Sequence, residues 1–176
     1  MDLSIVIPAH NEEQNIGPCL EKLMTFLVDQ HQIQTEVIVV NDNSSDQTEA
    51  RVIEQAARWP SIRLVRRTPP GGFGRAIRTG LEYVRGDIVV IYMADLSDHP
   101  EDVLKYYHKI QEGFDCVYGS RFVEGAVVRN YPQVKLIVNR IVNQMIRLMF
   151  WTKFNDLTNA FKAYRREVIE RCGPYR

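Results

Sequence analysis

Cysteine is scarce: 176 residues hold three, Cys19, Cys116 and Cys172, an odd number set far apart and in no C-x-x-C spacing. That excludes a disulfide-framed mini-protein and points to reduced thiols in a cytosolic-type compartment. Net charge is absent too, with 22 basic and 22 acidic side chains, so no global field gathers nucleic acid or a membrane surface. No run approaches the ~18 apolar residues of a membrane span. The start, Met1 to Ile5, has no basic stretch ahead of an apolar core and is not read as a signal peptide. With 10 glycines and 8 prolines the chain is neither collagen-like nor low in complexity. What remains is one ordinary soluble or peripheral domain, 1–176, long enough to bury a core.

What is present alternates. Short apolar runs at 3–7, 37–40, 62–65, 88–93 and 116–119 read as strands. Between them, helical spacing is predicted over 15–28, 47–57, 73–84 and 100–112; in the first, Ile16, Leu20, Leu23, Met24 and Leu27 form one stripe. Strands separated by helices of this length make a mostly parallel α/β sheet with helices on both faces. Residues 1–120 carry 18 acidic and 11 basic side chains, residues 121–176 four and 11. Such a split marks two kinds of ligand surface.

Ligands of such sheets bind outside the carboxyl ends of the strands. Three acid-bearing turns fall there: Pro8 to Glu13, Asn41 to Asp46 and Ala94 to Asp98. They suit a nucleotide with a divalent cation, since carboxylates hold hard cations and accept N–H groups of a base. Part of this acidity has a structural reading. Asp46 with Glu49, Asp98 with Glu101, and Asn11 with Gln14 have capping-box spacing. Asp42 and Asp95 sit at strand ends ahead of any cap and are read as functional. His10 is either a pocket residue or a satisfied loop histidine. Gly71, Gly72 and Gly74 follow the third strand, where a tight helix entry and a close backbone approach to ligand are both open readings. Arg75 stands where it reaches toward a phosphate.

The stretches SIVIPAHNEE (4–13), VVNDNSSD (39–46), ADLSDHPE (94–101), GSRF (119–122) and DLTNAFKAYRR (156–166) occur in that order. Together they resemble glycosyltransferase family 2, in the branch of dolichyl-phosphate mannose synthase and related polyprenyl-phosphate sugar transferases. The resemblance implies a GT-A, Rossmann-like fold. It implies that Pro8, Ala9 and Glu12 border the base and ribose of a nucleotide sugar, that Asp42 contacts the base, and that Gly74 lies in the loop beside it. Ala94 and Asp95 match the last two positions of an Asp-Ala-Asp motif whose final acid binds Mg²⁺ or Mn²⁺ on the diphosphate. Arg121 matches an arginine that faces the acceptor phosphate. Three positions depart from the pattern: Met93 replaces the first acid of that motif, Ser97 a glutamine that assists the metal, and Asn41 the first acid of a pair. A thioether is a poor ligand for a hard cation, so the metal site rests on Asp95 and Ser97. Family members continue past the Asp156 motif, so a truncated or unusually short member is expected.

A helix is predicted over 134–151, with Lys135, Asn139, Asn143 and Arg147 along one polar stripe and apolar residues elsewhere. It reads either as an interfacial helix or as one packed against the sheet. With the resemblance, the lipid reading places Lys135 and Asn139 near the acceptor phosphate and the protein at the cytoplasmic face of a membrane. The expected reaction moves a sugar from GDP-mannose or a UDP-sugar to a polyprenyl phosphate with inversion, residues 1–120 serving the donor and 121–176 the acceptor. Asp95, Arg121 and Asp156 are the candidate catalytic residues. Asp156 is a base if the acceptor is a hydroxyl, and otherwise a salt bridge or cap. A non-catalytic nucleotide-sugar-binding module is the remaining alternative.

Overall fold

A computed structural model describes residues 1–123 and 133–173, with the backbone alone for Gln133 and Lys135. Strands β1 (Leu3–Ala9) and β2 (Thr35–Asn41) are buried along their whole length, as near-continuous apolar strands of a doubly covered sheet must be. β3 (Ile62–Arg66) pairs parallel with β2, and β4 (Ile88–Ile91) parallel with β1. The sheet continues through β6 (Lys162–Arg165) to β5 (Cys116–Tyr118), in the order β3-β2-β1-β4-β6-β5, with β6 antiparallel to both neighbours.

Alternation along the strands divides the core. Ile5, Ile7, Val37, Val39 and Val90 point to one face, against α1 (Ile16–Met24), α2 (Thr48–Arg58) and α4 (Pro100–Gln111) through Leu20, Leu23, Val52, Val103 and Ile110. Val6, Ile38, Val40, Val89 and Ile91 point to the other, where Ala76 of α3 (Phe73–Leu81) and Ile169 of α6 (Arg166–Cys172) cover them. The remaining helix, α5 (Gln133–Phe150), contributes no described side chain to either layer.

The α/β class and the mostly parallel sheet are as expected, and three local expectations fail. The first helix ends as such at Met24 and runs on as a π-helical turn, Thr25–Gln30. β6 and α6 carry no period-2 or helical signal in so few residues, yet β6 fills the slot beside β4 and leaves β5 at the edge. None of the three capping boxes forms. Glu49 bonds Arg66 and Asn41 instead, Asp98 accepts from Met93 N at 2.9 Å, and Asn11 Oδ1 accepts from Ser45 N at 2.8 Å. The partners of Glu49 and Asn11 come from other loops or strands and that of Asp98 from five residues back in its own turn, none of which capping spacing anticipates.

Candidate active site

The register places every candidate turn on one edge of the sheet. Ala9 pairs with Asn41, while Ile91 and Tyr118 both pair with Lys162. The ends of β1, β2, β4 and β5 and the entry to β6 therefore converge. Between them opens a cleft of about 580 Å³, lined by Pro8, Ala9, His10, Glu12, Asp42, Gly72 and Met93 among others.

Two turns are stitched together to form its floor. Asn11 and Asn43 adopt left-handed backbone, φ 56° and 61°, a region Asn tolerates better than most residues. Glu12 N donates to Thr48 Oγ1 (2.7 Å), Glu13 N to Asp46 Oδ2 (3.1 Å) and Gln47 N to Glu13 Oε2 (2.9 Å). His10 Nδ1 lies 2.8 Å from the carbonyl oxygen of Asp42. The acids of this region thus hold loops, and Asp42 holds the opposite wall. Its carboxylate is buried and accepts from Arg67 Nη1, from Asn43 Nδ2 (3.1 Å) and from Gly72 N (2.6 Å). Gly72 has φ 146°, closed to side-chain-bearing residues, which lets its N–H turn onto Asp42. Arg67 carries no sequence signature. It follows β3, and only the fold brings its guanidinium to Asp42.

Gly74, Arg75, Ala94 and Asp95 are not among the residues lining the cleft. A Cβ on Gly74 would meet nothing within 4 Å. Arg75 Nη1 donates to Pro70 O at 3.4 Å, and Ala94 is buried. Asp95 is exposed just past Met93; its Oδ1 accepts from Ser97 N at 3.0 Å. Among the described residues no group of three or more His, Cys, Asp or Glu side chains is placed to hold a metal ion. One exposed carboxylate with a serine hydroxyl nearby is a hard-oxygen set that fits a cation arriving with a diphosphate, as Mg²⁺ commonly does. Beside it, burial pushes the Asp98 carboxyl up to about 7, against a lowering hydrogen bond from Met93 N. Burial likewise pushes the Cys19 thiol up to about 12, which makes it an inert structural thiol.

A second cluster occupies the same edge. Arg121, after β5, donates Nε to Asp156 Oδ2 (2.8 Å) and Nη2 to Asp156 Oδ1 (2.7 Å) and Thr158 Oγ1 (3.0 Å). Asn143 of α5 joins it, donating to Thr158 Oγ1 (2.8 Å) and accepting from Thr158 N (3.2 Å). The Asp156 side chain is 0% exposed. Burial raises its pKa, but the hydrogen bonds from Arg121 and Thr158 outweigh this and hold it below the usual carboxylate range. Asn139 contributes its carbonyl oxygen to Asn143 Nδ2 at 2.9 Å. The side chain of Lys135 lies outside the described residues.

Asn143 is the single buried residue among the described side chains of α5. Ile137, Val138, Ile141, Met145, Leu148, Met149 and Phe150 are all exposed, and Trp151, just past its end, is 94% exposed. The helix is seated through Asn143 and turns most of its described apolar residues outward. It does not pack on the sheet. No described helix is long and apolar enough to cross a membrane.

A 3-2-1-4-6-5 sheet with an acid-walled cleft at its strand ends and an arginine–carboxylate cluster beside it is an α/β architecture of GT-A type. The chain belongs to glycosyl transferase family 2, whose sequence model matches residues 4–173. It is 32% identical to a dolichol-phosphate mannosyltransferase of Pyrococcus furiosus over 97% of this chain and 48% of that protein. It is 33% identical to a polyprenol monophosphomannose synthase of Mycolicibacterium smegmatis over 95% of this chain and 63% of that one. Among solved structures it resembles glucosyl-3-phosphoglycerate synthase of Mycobacterium tuberculosis bound to Mn²⁺, UDP and phosphoglyceric acid, with a TM-score of 0.72 and 28% identity over 95% of this chain and 56% of that one. The chain thus spans about half to two-thirds of the length of these proteins.

Proposed function

We propose that this chain carries the donor site, and part of the acceptor site, of an inverting glycosyltransferase that moves a sugar from a nucleotide diphosphate sugar to a polyprenyl phosphate at a membrane surface. The observation that carries the reading is α5: an outward apolar surface seated, through Asn143, on the Arg121–Asp156 cluster at the edge where the donor cleft opens. Cationic Arg140 and Arg147 on that helix suit anionic headgroups. Two relatives named for transfer to dolichol or polyprenol phosphate, and a structural neighbour holding UDP and Mn²⁺, support the same reading.

In the reaction a phosphate oxygen of the acceptor attacks the anomeric carbon, its bond to the donor diphosphate breaks, and the nucleoside diphosphate leaves with that electron pair. A phosphate monoester, with a second pKa near ~6, is already anionic at neutral pH, so this chain has to supply position and charge and no general base. Pro8, Ala9, Glu12 and Asp42 hold the nucleoside in the cleft. Asp95 and Ser97 would hold the divalent cation, which supplies neutralisation of the departing diphosphate. Arg75 stands at the start of α3 for a donor phosphate. Arg121, with Lys135 and Asn139, positions the acceptor phosphate by proximity and charge. Asp156 orients Arg121. A hydroxyl acceptor would need a base, and a fully buried carboxylate whose oxygens already accept from Arg121, Asn143 and Thr158 is unsuited to that task.

The test is a panel of nucleotide sugars offered with phosphorylated and unphosphorylated polyprenol. Transfer to the phosphorylated lipid alone is the expected result. Transfer to the unphosphorylated polyprenol at equal rate would sink the acceptor assignment.

A further inference from the structure

Resting on that polyprenyl-phosphate reading, a second cavity reaches one step further, to the lipid chain. It opens between α3 and α6, on the sheet face opposite α1, α2 and α4, with a volume of about 410 Å³, which is in the range of small-molecule sites. Ile77 and Leu81 of α3, Ile91 of β4, and Val168 and Ile169 of α6 make its walls apolar. Its end at the binding edge is polar, lined by Thr158, Asn159 and Lys162 where β6 begins. Thr158 is the residue that accepts from both Arg121 and Asn143. Phe73 stands in the walls of this cavity and of the donor cleft alike. The cavity therefore starts at the acceptor cluster, beside the donor. From Phe73 to Leu81 it follows α3 for about 12 Å, at ~1.5 Å per residue.

Lys162 marks the polar end as a place for an anion. Its side chain is half-buried; Nζ donates to Leu157 O at 2.9 Å and lies 5.2 Å from the centre of the Tyr118 ring. Among the described residues no carboxylate pairs with it. Asp156, whose charge is felt at Lys162, gives both of its oxygens to Arg121. An ammonium taken partly out of water without a counter-ion is costly, and burial lowers its pKa accordingly. A cation at the mouth with apolar walls behind it matches a ligand that has an anionic head and a hydrocarbon tail.

We propose that this cavity takes the first units of the acceptor's polyprenyl chain, with the acceptor phosphate at its mouth between Arg121 and Lys162. A phosphate without a chain leaves the apolar walls to water, and a polyprenol without a phosphate leaves Lys162 unpaired. Burying the first units of the chain fixes where the phosphate stands, as binding energy remote from the reacting atoms orients them.

The experiment is calorimetric titration of the whole chain with geranyl phosphate, geraniol and inorganic phosphate. Geranyl phosphate is expected to bind roughly a hundredfold tighter or more than inorganic phosphate, each buried methylene adding several-fold. Lys162→Gln should weaken it about tenfold or more, the effect of one lost charge-assisted hydrogen bond. Val168→Trp fills the cavity from α6 and, with its fold checked by its melting curve, should bring geranyl phosphate close to inorganic phosphate. The unaltered chain supplies a second readout. Cys172 is exposed and lines the cavity, so saturating geranyl phosphate should slow its alkylation by N-ethylmaleimide several-fold, followed by mass spectrometry, while inorganic phosphate should not. Full affinity in folded Val168→Trp, an unprotected Cys172, or geranyl phosphate binding no tighter than inorganic phosphate overturns the cavity assignment and leaves the polyprenyl-phosphate reading standing. Unchanged affinity in Lys162→Gln overturns the place of the phosphate at the mouth. Geranyl phosphate binding no tighter than geraniol, or not at all, overturns both the inference and that reading.

Discussion

At position 93 a thioether stands two residues ahead of Asp95, which leaves one carboxylate at the end of β4 to meet a cation. Asp95→Asn keeps the oxygen that accepts from Ser97 N and removes the charge. It should lower sugar transfer by about a hundredfold or more, the scale of lost metal-ion stabilisation. As an exposed substitution it should leave the melting temperature nearly unchanged. Near-normal transfer with full metal dependence would show that the cation is held elsewhere. Met93→Asp supplies the missing acid and should tighten Mn²⁺ binding in the presence of nucleoside diphosphate, read by titration. The Arg121–Asp156 pair acts differently, because it is bidentate and buried. Asp156→Ala removes the fully buried carboxylate that accepts from two Arg121 nitrogens and should cost about 3–5 kcal/mol in denaturant unfolding. A loss below about 1 kcal/mol would mean that the pair is solvated in solution. Arg121→Ala should lose stability as well, so its acceptor role is read from the acceptor KM measured where the variant remains folded, with nucleotide affinity as the control.

Among elements α5 is the outlier. A helix that turned its apolar side to the sheet would bury Ile141 and Met145, yet Asn143 is the residue that goes inward, onto Thr158 and Asp156. The apolar side is then available to a lipid surface. Replacing Ile137, Met145 and Leu148 together by Ser should leave the melting temperature within a few degrees, since these side chains lose little burial on unfolding. The same variant should bind anionic vesicles several-fold more weakly in a flotation assay, each lost apolar contact with the bilayer weakening adsorption. Unaltered vesicle binding would remove the membrane from the reading. A melting point lowered by ten degrees or more would mean that the face is covered within the protein.

For the whole molecule, two buried acids pull the pH dependence of stability in opposite directions. Asp98 is pushed up to about 7, above an unfolded value near ~3.9. Between those two values the native state holds a proton that the unfolded chain has lost, so this contribution is full below pH ~4 and is lost as pH rises to about 7. Asp156 is held low, so its contribution is present above the unfolded value and lost as pH falls through the folded one. Asp98→Asn keeps an acceptor for Met93 N and abolishes the first term. Its melting temperature should therefore fall less between pH 5 and pH 7.5 than that of the unaltered chain. Parallel curves over that interval would show that Asp98 titrates normally.

The sequence by itself determined the α/β layering, because apolar runs of strand length and helical stripes are periodic signals carried by local residues. It also pointed to the binding edge, since Asp42 and Asp95 follow such runs directly. Tertiary structure alone decided three things. It inserted β6 between β4 and β5, since a four-residue strand becomes recognisable only through its partners. It drew Arg67 onto Asp42 from 25 positions away, and Asp156 onto Arg121 from 35. It chose between the two readings of α5, because an amphipathic pattern marks two faces and the partner groups on Asp156 and Thr158 settle which face turns inward. Hydrogen-bond partners distant in sequence leave no periodic trace, so the chemistry of the site became legible only once the chain was folded.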